Sequence, residues 1–397
     1  MLNSFTDIWY NQTILKYFLC NDLRGTFIMK TSIYTYRLYD VADEINLDSV
    51  QALWMSRNKI ASRLRLNRIS IRSIQFQNPP VLVALGSHEL KIGGKDYFVD
   101  VYARIFDIGV ISIIFNVQPD EDITRQGYMD LVMGVEDMPD EEFRSFLDAT
   151  LETIQPACAN PNVSGFDEDF TVYYFQDPVP QDWDIAPFLL KDREPVNEGT
   201  RQDVLSNQFS YADDVTYLTW DSALVYDATG STDIPDLLEF ANAQYLELRY
   251  YDNFLNHAID KTYDVIGASD ATQTAKIQQF RTIRDELLET MADVSSLTSN
   301  ITNALLVTED VFYAKVYAHY LDLLKAHVWQ ENIELKMQVL QRCYNMINDA
   351  VANHQMEKIR RQNHFLLLIM TILLAIITVC AVMPWASMLL FRWALQG

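Results

Sequence analysis

The chain has 397 residues, 49% of them apolar, and a net charge of −23. That length supports a sizeable core and more than one domain, while the acidity disfavours phosphate tracking, so no direct nucleic-acid partner is expected. The charge is uneven: residues 1–117 hold thirteen bases against ten acids, residues 118–198 hold four against twenty, and the remainder carries −10.

Residues 1–28 contain Asp7, Lys16, Asp22 and Arg24, which break any secretory signal and fit a mitochondrial presequence equally poorly. Met29 precedes the first strand-like alternation, so residues 1–28 are expected to be a disordered extension or a misassigned start. Ser32–Tyr39 alternates with period two and reads as a strand. Asn46 or Asp48 can cap a helix through Val50, Leu53 and Trp54. A basic patch follows at Arg57, Lys59, Arg63, Arg65, Arg68 and Arg72. Strands are expected at Ile69–Phe76, Val81–Leu85 and Tyr97–Phe106, the last forming a hairpin with Val110–Val117 across Asp107-Ile108-Gly109. Few polar positions interrupt Val110–Val117, which predicts a central strand covered on both faces.

Asp140–Leu151 reads as a helix with an acidic start. Prolines 156, 161, 178, 180, 187 and 195 then impose loops, with one strand at Phe170–Phe175. Leu218–Asp227 resumes strand character. The fold class is therefore α+β over residues 29–230, a mixed or antiparallel sheet with helices against it.

A helical bundle is expected over residues 231–363. Asp233 and Pro235 start a helix whose stripe runs through Leu238, Ala241, Tyr245, Leu248, Leu255 and Ile259, with Asp252 as its one discord. Asp270 and Gln273 resemble a capping box for a second helix reaching about Leu306, and a third runs from Glu309 and Asp310 through Leu323. From Gln330 to Met383 the chain reads as one helical run. Ile333, Met337, Leu340, Tyr344, Ile347 and Val351 form a heptad seam, continued by His354, that another helix or another subunit must cover.

Residues 364–384 are expected to cross a membrane. Phe365–Met383 carries no charge, and at 1.5 Å per residue spans roughly 28 Å, about one bilayer core. Pro384 is expected to end the span, leaving residues 385–397 as an interfacial tail or a re-entrant segment. Lys358, Arg360 and Arg361 mark the membrane border, and the positive-inside bias keeps the large N-terminal part on the cytoplasmic side of a single span.

No phosphate loop, dinucleotide fingerprint, nucleophile elbow or HExxH pair is present, and Cys20, Cys158, Cys343 and Cys380 lack metal or disulfide spacing. His257, His319, His327, His354 and His364 fall on helices without a partner at i+3 or i+4. Glu239, Glu247 and Asp252 share a helix but lack the Glu-x-x-His pattern of bundle metal sites. No catalytic residue, cofactor or metal is therefore assigned. Glu247, Arg249 and Tyr250 are expected instead to form a structural polar network, with Asp221 or Asp227 as partner of Arg249.

At LTWDSALVYD followed by DLLEFANAQYLELRYYD, Leu218 to Asp252, the sequence resembles the family named "required for meiotic nuclear division". The resemblance extends loosely from Tyr34 to the span and includes FDIGVISIIFNV and DVFYAKVYAHY. It implies an α/β-type N-terminal domain, long helices and a C-terminal hydrophobic anchor. Mitochondrial members of that family are self-associating inner-membrane proteins that support translation, and none has defined catalytic residues. Without a presequence, the resemblance implies a bacterial inner-membrane version. The expected function is a non-enzymatic, self-associating membrane scaffold or assembly factor, with membrane lipid, further copies of itself and ribosomal or translation-associated proteins as partners. A CorA-like divalent-cation channel and an enzyme housed in the α+β domain are the alternatives; the former would need a second span and a GMN tripeptide, where Met383-Pro384-Trp385 stands here.

Overall fold

The computed structural model describes residues 29–56, 61–63, 78–211, 213–267, 273–304 and 311–394. The expectations for residues 1–28, the side chains of the Arg57–Arg72 patch, a strand at Ile69–Phe76 and a cap at Asp270 lie outside them. The chain divides into two units: residues 1–250 with 297–330, and residues 251–296 with 331–397.

The first unit is built on a nine-stranded sheet. Its strands are β1 (Thr31–Asp40), β3 (Ala61–Arg63), β4 (Val81–Ile92), β5 (Lys95–Ile105), β6 (Val110–Val117), β8 (Asp167–Phe175), β9 (Gln208–Phe209), β10 (Val215–Leu218) and β11 (Ser222–Tyr226). The spatial order is β3-β4-β5-β6-β1-β8-β11-β10-β9, antiparallel throughout except where β11 runs parallel to β8. Two short strands, β2 (Glu44–Ile45) and β7 (Cys158–Ala159), pair separately.

The β5–β6 hairpin forms where expected. Gly109 adopts φ +96°, and a Cβ there would overlap the carbonyl oxygen of Ala42, so the loop after β1 can lie against it only if residue 109 is glycine. All eight residues of β6 are buried. Period two then sorts the side chains. Val99, Val101, Ala103 and Ile105 of β5 and Ile111, Ile113, Phe115 and Val117 of β6 enter one core. That face is covered by α1 (Leu47–Ser56), α2 (Arg125–Glu136), α3 (Asp140–Ile154) and α4 (Ala186–Leu190), through residues such as Trp54, Tyr128, Phe143 and Phe188. A further helix, α5 (Glu198–Ser206), is capped by Asn197. The opposite face carries Tyr36, Leu38, Val110 and Ile114 and packs against α6 (Asp233–Gly267) and α8 (Val311–Leu323).

Two expectations change. Leu218–Asp227 has the expected strand character in β11, but its start is the end of β10 and a turn, so that Val215–Tyr226 forms a hairpin. Thr219 Oγ1 accepts the Ser222 amide at 2.9 Å and the Thr219 amide donates to the Ser222 carbonyl at 2.8 Å, closing a turn with Trp220 exposed at its tip. The domain boundary expected at residue 230 moves into α6. Leu237, Leu238, Ala241, Ala243 and Leu246 belong to the sheet core, so the first half of α6 is part of the sheet unit.

The second unit contains the rest of α6, α7 (Gln273–Ala304) and most of α9 (Ala326–Ala394). Buried positions recur at Phe280, Ile283, Leu287, Thr290 and Val294 of α7 and at Ile333, Leu340, Ile347 and Val351 of α9. Alternating steps of three and four, or their sum, define coiled-coil-like seams. Leu255 and Thr262 of α6 are buried with them. Met337 and Tyr344 are half-buried at the margin. The predicted seam is thus covered by the chain's own helices and does not require a second subunit.

Candidate functional site

The polar residues of α6 are the chemical centre of the sheet unit. Arg104, on β5, points from the sheet face that α6 covers. Its Nη2 lies 2.7 Å from Asp236 Oδ1, and its Nη1 donates to Glu239 Oε2. All three side chains are buried, the glutamate completely. Burial works against the charge on Arg104, but the two carboxylates more than offset it and raise its pKa. Burial pushes the Glu239 carboxyl up to about 7 despite the opposing pull of Arg104. Asp236 and Glu239 sit three apart, on one face of α6, so a single guanidinium reaches both.

On both sides of this cluster, buried polar groups of α6 meet the tyrosines of α8. Tyr313 donates to Asp233 at 3.1 Å, Tyr317 to Gln244, and Tyr320 shares hydrogen bonds of 2.9 and 3.2 Å with the Asn242 amide. Glu247 differs: it is 2% exposed, and its Oε1 has no hydrogen-bond partner. Burial raises its pKa well above the ordinary value, and Asp40 and Asp43 raise it further. Asp40, at the end of β1, is pushed up to about 6, chiefly by burial. Tyr250 faces the same carboxylates and is pushed up to about 12, with burial again the main cause. Among the described residues, no group of three or more His, Cys, Asp or Glu is arranged to hold a metal ion.

The expected network of Asp221, Asp227, Glu247 and Arg249 is not assembled. Arg249 pairs with Glu168 at the start of β8 and lies 5.7 Å from the Tyr245 ring centroid. Asp221 is 3.2 Å from Lys191, which also reaches Glu136 at 2.8 Å. Asp227 accepts the amide and hydroxyl of Thr229 at 2.8 and 2.6 Å and closes the turn before α6. The reason is sheet order. β8 lies beside β1, which brings its acidic start to α6, whereas Asp221 and Asp227 lie beyond the two ends of β11. The Arg104 cluster was missed, although an arginine inside the apolar strand YARIF is its visible signal.

A cleft of about 380 Å³ in the sheet unit is lined by Arg125, Arg193 and Arg201 together with Asp184, Asp192 and Glu194. Arg201 grips Asp184 in a fork at 2.8 and 2.5 Å, and Arg193 lies 3.0 Å from Asp130. Among the helical histidines, His319 contacts Asn207 at 3.1 Å and His257 its own helix backbone at 2.9 Å.

In the second unit, Asp252 ceases to be a discord. Lys336 of α9 lies 2.5 Å from its carboxylate and donates to its backbone carbonyl at 3.0 Å. Lys261 and Glu286 join α6 to α7 at 2.6 Å. Beyond Val351 the burial of α9 ends, and from Gln355 to Cys380 every residue is exposed. The apolar part has a mean hydropathy of 2.3 over its best window, with none of that window buried, so this helix is long and apolar enough to cross a membrane. The helix also runs through Pro384 to Ala394, where an end had been expected. A proline removes one backbone donor and favours a kink, yet helices of membrane proteins accommodate it. The side chains of the expected interfacial tail lie outside the described residues.

A family model described as "Uncharacterized protein MJ0711, N-terminal domain" matches residues 30–232. The uncharacterized protein MJ0711 of Methanocaldococcus jannaschii is 26% identical over 197 residues, which cover 47% of this chain and 59% of that protein. The chain therefore matches about three-fifths of the length of this relative. The matched region ends one residue before α6 starts.

Proposed function

Because the chain belongs to the family of the MJ0711 N-terminal domain, whose match stops where the long helices begin, we propose that it is a non-enzymatic membrane-tethered scaffold. The family's sheet unit is the part that engages partners, and the helices hold it at a membrane. One observation carries this reading: α9 is a single 69-residue helix that supplies residues to both units and continues into the exposed apolar segment. At 1.5 Å per residue such a helix is about 100 Å long, enough to cross a bilayer and still organise a bundle outside it. Lys358, Arg360 and Arg361 precede the span, which supports a cytoplasmic body on a single-pass anchor. The layout resemblance to the "required for meiotic nuclear division" family adds translation-associated proteins and further copies of the chain as proposed partners.

The test is fractionation of cells expressing the full chain, followed by alkaline carbonate extraction. The full chain is expected to stay in the membrane pellet, and a variant lacking residues 364–394 to move to the soluble fraction. Release of the full chain by carbonate would overturn the anchor. Affinity capture of the cross-linked native protein then checks the scaffold role, for which enrichment of translation-associated proteins is the expected result.

A further inference from the structure

The charge of this chain is divided sharply along α9. Residues 1–351 hold 27 bases against 53 acids, or −26, whereas residues 352–397 hold four bases against one acid, or +3. Three of those four bases, Lys358, Arg360 and Arg361, are exposed and stand within seven residues of Phe365. At 1.5 Å per residue they lie about 6 to 10 Å before the apolar segment. A bilayer of 40–45 Å with a hydrocarbon core of about 30 Å has headgroup layers some 5–7 Å thick, so flexible lysine and arginine side chains at this height reach the phosphates. At about 100° per residue the three positions fall at roughly 0°, 200° and 300° around the helix, which makes a collar rather than a stripe. Among the described residues, Arg361 alone of the three has an ion pair, with Glu357 at 3.8 Å, and its guanidinium is 82% exposed.

The height of the collar is matched by a spacer. Up to Cys380, Val351 is the last buried residue of α9. Fourteen residues of helix separate it from Phe365, about 21 Å, while charges in physiological salt are screened over about 8 Å. With the phosphates some 5–7 Å outside that boundary, the acidic bundle ends about 14–16 Å from them, close to two screening lengths. A negatively charged leaflet can attract the collar without repelling the bundle with comparable force.

We infer that Lys358, Arg360 and Arg361 bind the phosphates of anionic phospholipids, and that the exposed helix below them keeps the acidic bundle out of that surface's field. This rests on the membrane-anchored reading. The partner is a lipid leaflet carrying net negative charge, not a zwitterionic one.

The test uses the full chain reconstituted into vesicles of 70% phosphatidylcholine and 30% phosphatidylglycerol, extracted gently, with the co-isolated lipid quantified by mass spectrometry. Each headgroup-level cation should favour an anionic lipid about fivefold, so phosphatidylglycerol is expected to be enriched several-fold over its share of the vesicle. Replacing Lys358, Arg360 and Arg361 together by glutamine should return the ratio to that of the bulk. A charge-matched control, Lys91, Lys95 and Lys325 replaced by glutamine, should keep the enrichment. Equal lipid ratios for the collar variant and the wild-type chain would overturn the inference. Failure of the wild-type chain to float with the vesicles at all would overturn the anchor itself, and the two failures are read separately.

Discussion

The two units bury charge in opposite ways. In the sheet unit, α6 places Asp236, Glu239 and Glu247 in the interior; Arg104 answers the first two, whereas among the described residues no cation pairs with Glu247. In the helical unit the seams are, among the described residues, apolar apart from two threonines and the Asp252–Lys336 pair, whose side chains stay 13% and 21% exposed. A heptad seam specifies that helices pack but permits a slip by one repeat, and one polar pair at a seam position removes that freedom. A helix on a sheet has more ways to be misplaced, by rotation as well as by sliding. The contrast teaches that the sheet unit fixes one helix with several buried polar contacts, whereas the bundle sets one partly buried pair at its seam and leaves the Lys261–Glu286 pair exposed.

Arg104→Met should break this contrast hardest. It leaves two carboxylates buried without a cation, which costs about 3–5 kcal/mol. Chemical unfolding of the detergent-solubilised full chain, followed by tryptophan fluorescence, should show the loss, since Trp54 and Trp183 pack in or against the sheet core. Replacing Arg104, Asp236 and Glu239 together by Met, Leu and Leu should recover most of the stability. If the triple variant is as unstable as the single one, the cluster does more than fix α6.

Leu340→Ala is the matching change in the bundle. Leu340 is fully buried, and truncation of such a leucine costs about 2–5 kcal/mol. Far-ultraviolet circular dichroism should lose its helical signal at lower denaturant while the fluorescence transition of the sheet unit stays in place. A joint shift of both transitions would mean that the units unfold as one.

The same contrast decides what could be read from the sequence. The α9 seam was legible because its period is local: each helical position declares its face by spacing alone. β6 was legible because eight residues, buried on both faces, leave no room for alternation. The β10–β11 turn was not, because a side-chain hydroxyl at Thr219 makes it, and LTWDSALVYD carries no glycine or proline to mark it. Arg249 was recognised as needing a carboxylate, but its partner Glu168 lies 81 positions away and becomes adjacent only through the β1–β8 pairing. The Arg104 cluster joins residues 132 and 135 positions apart, so composition could flag the arginine but not its partners.

Glu247→Gln gives the smallest effect and the sharpest one, because its sign depends on pH. Burial first, then Asp40 and Asp43, raise the folded-state pKa of Glu247, whereas the unfolded chain should titrate near 4.3. A group raised in this way contributes stability that is fully present below the unfolded value and lost as pH rises through the folded one. Asp40 acts in the same sense between about 3.9 and about 6. The wild-type fold should therefore weaken as pH rises from 4 towards neutrality, as far as these two groups determine it. Glutamine keeps the shape of Glu247 without the charge, so the variant should match the wild type near pH 4. At pH 7 it should exceed it by about 1–3 kcal/mol, the cost of a buried polar group left unmatched. Denaturant midpoints at pH 4, 5.5 and 7 measure this directly. A Glu247→Gln variant less stable than the wild type at pH 7 would mean that the carboxylate is ionised and answered by a cation, and the orphan on α6 would then belong with Arg104 and its partners rather than apart from them.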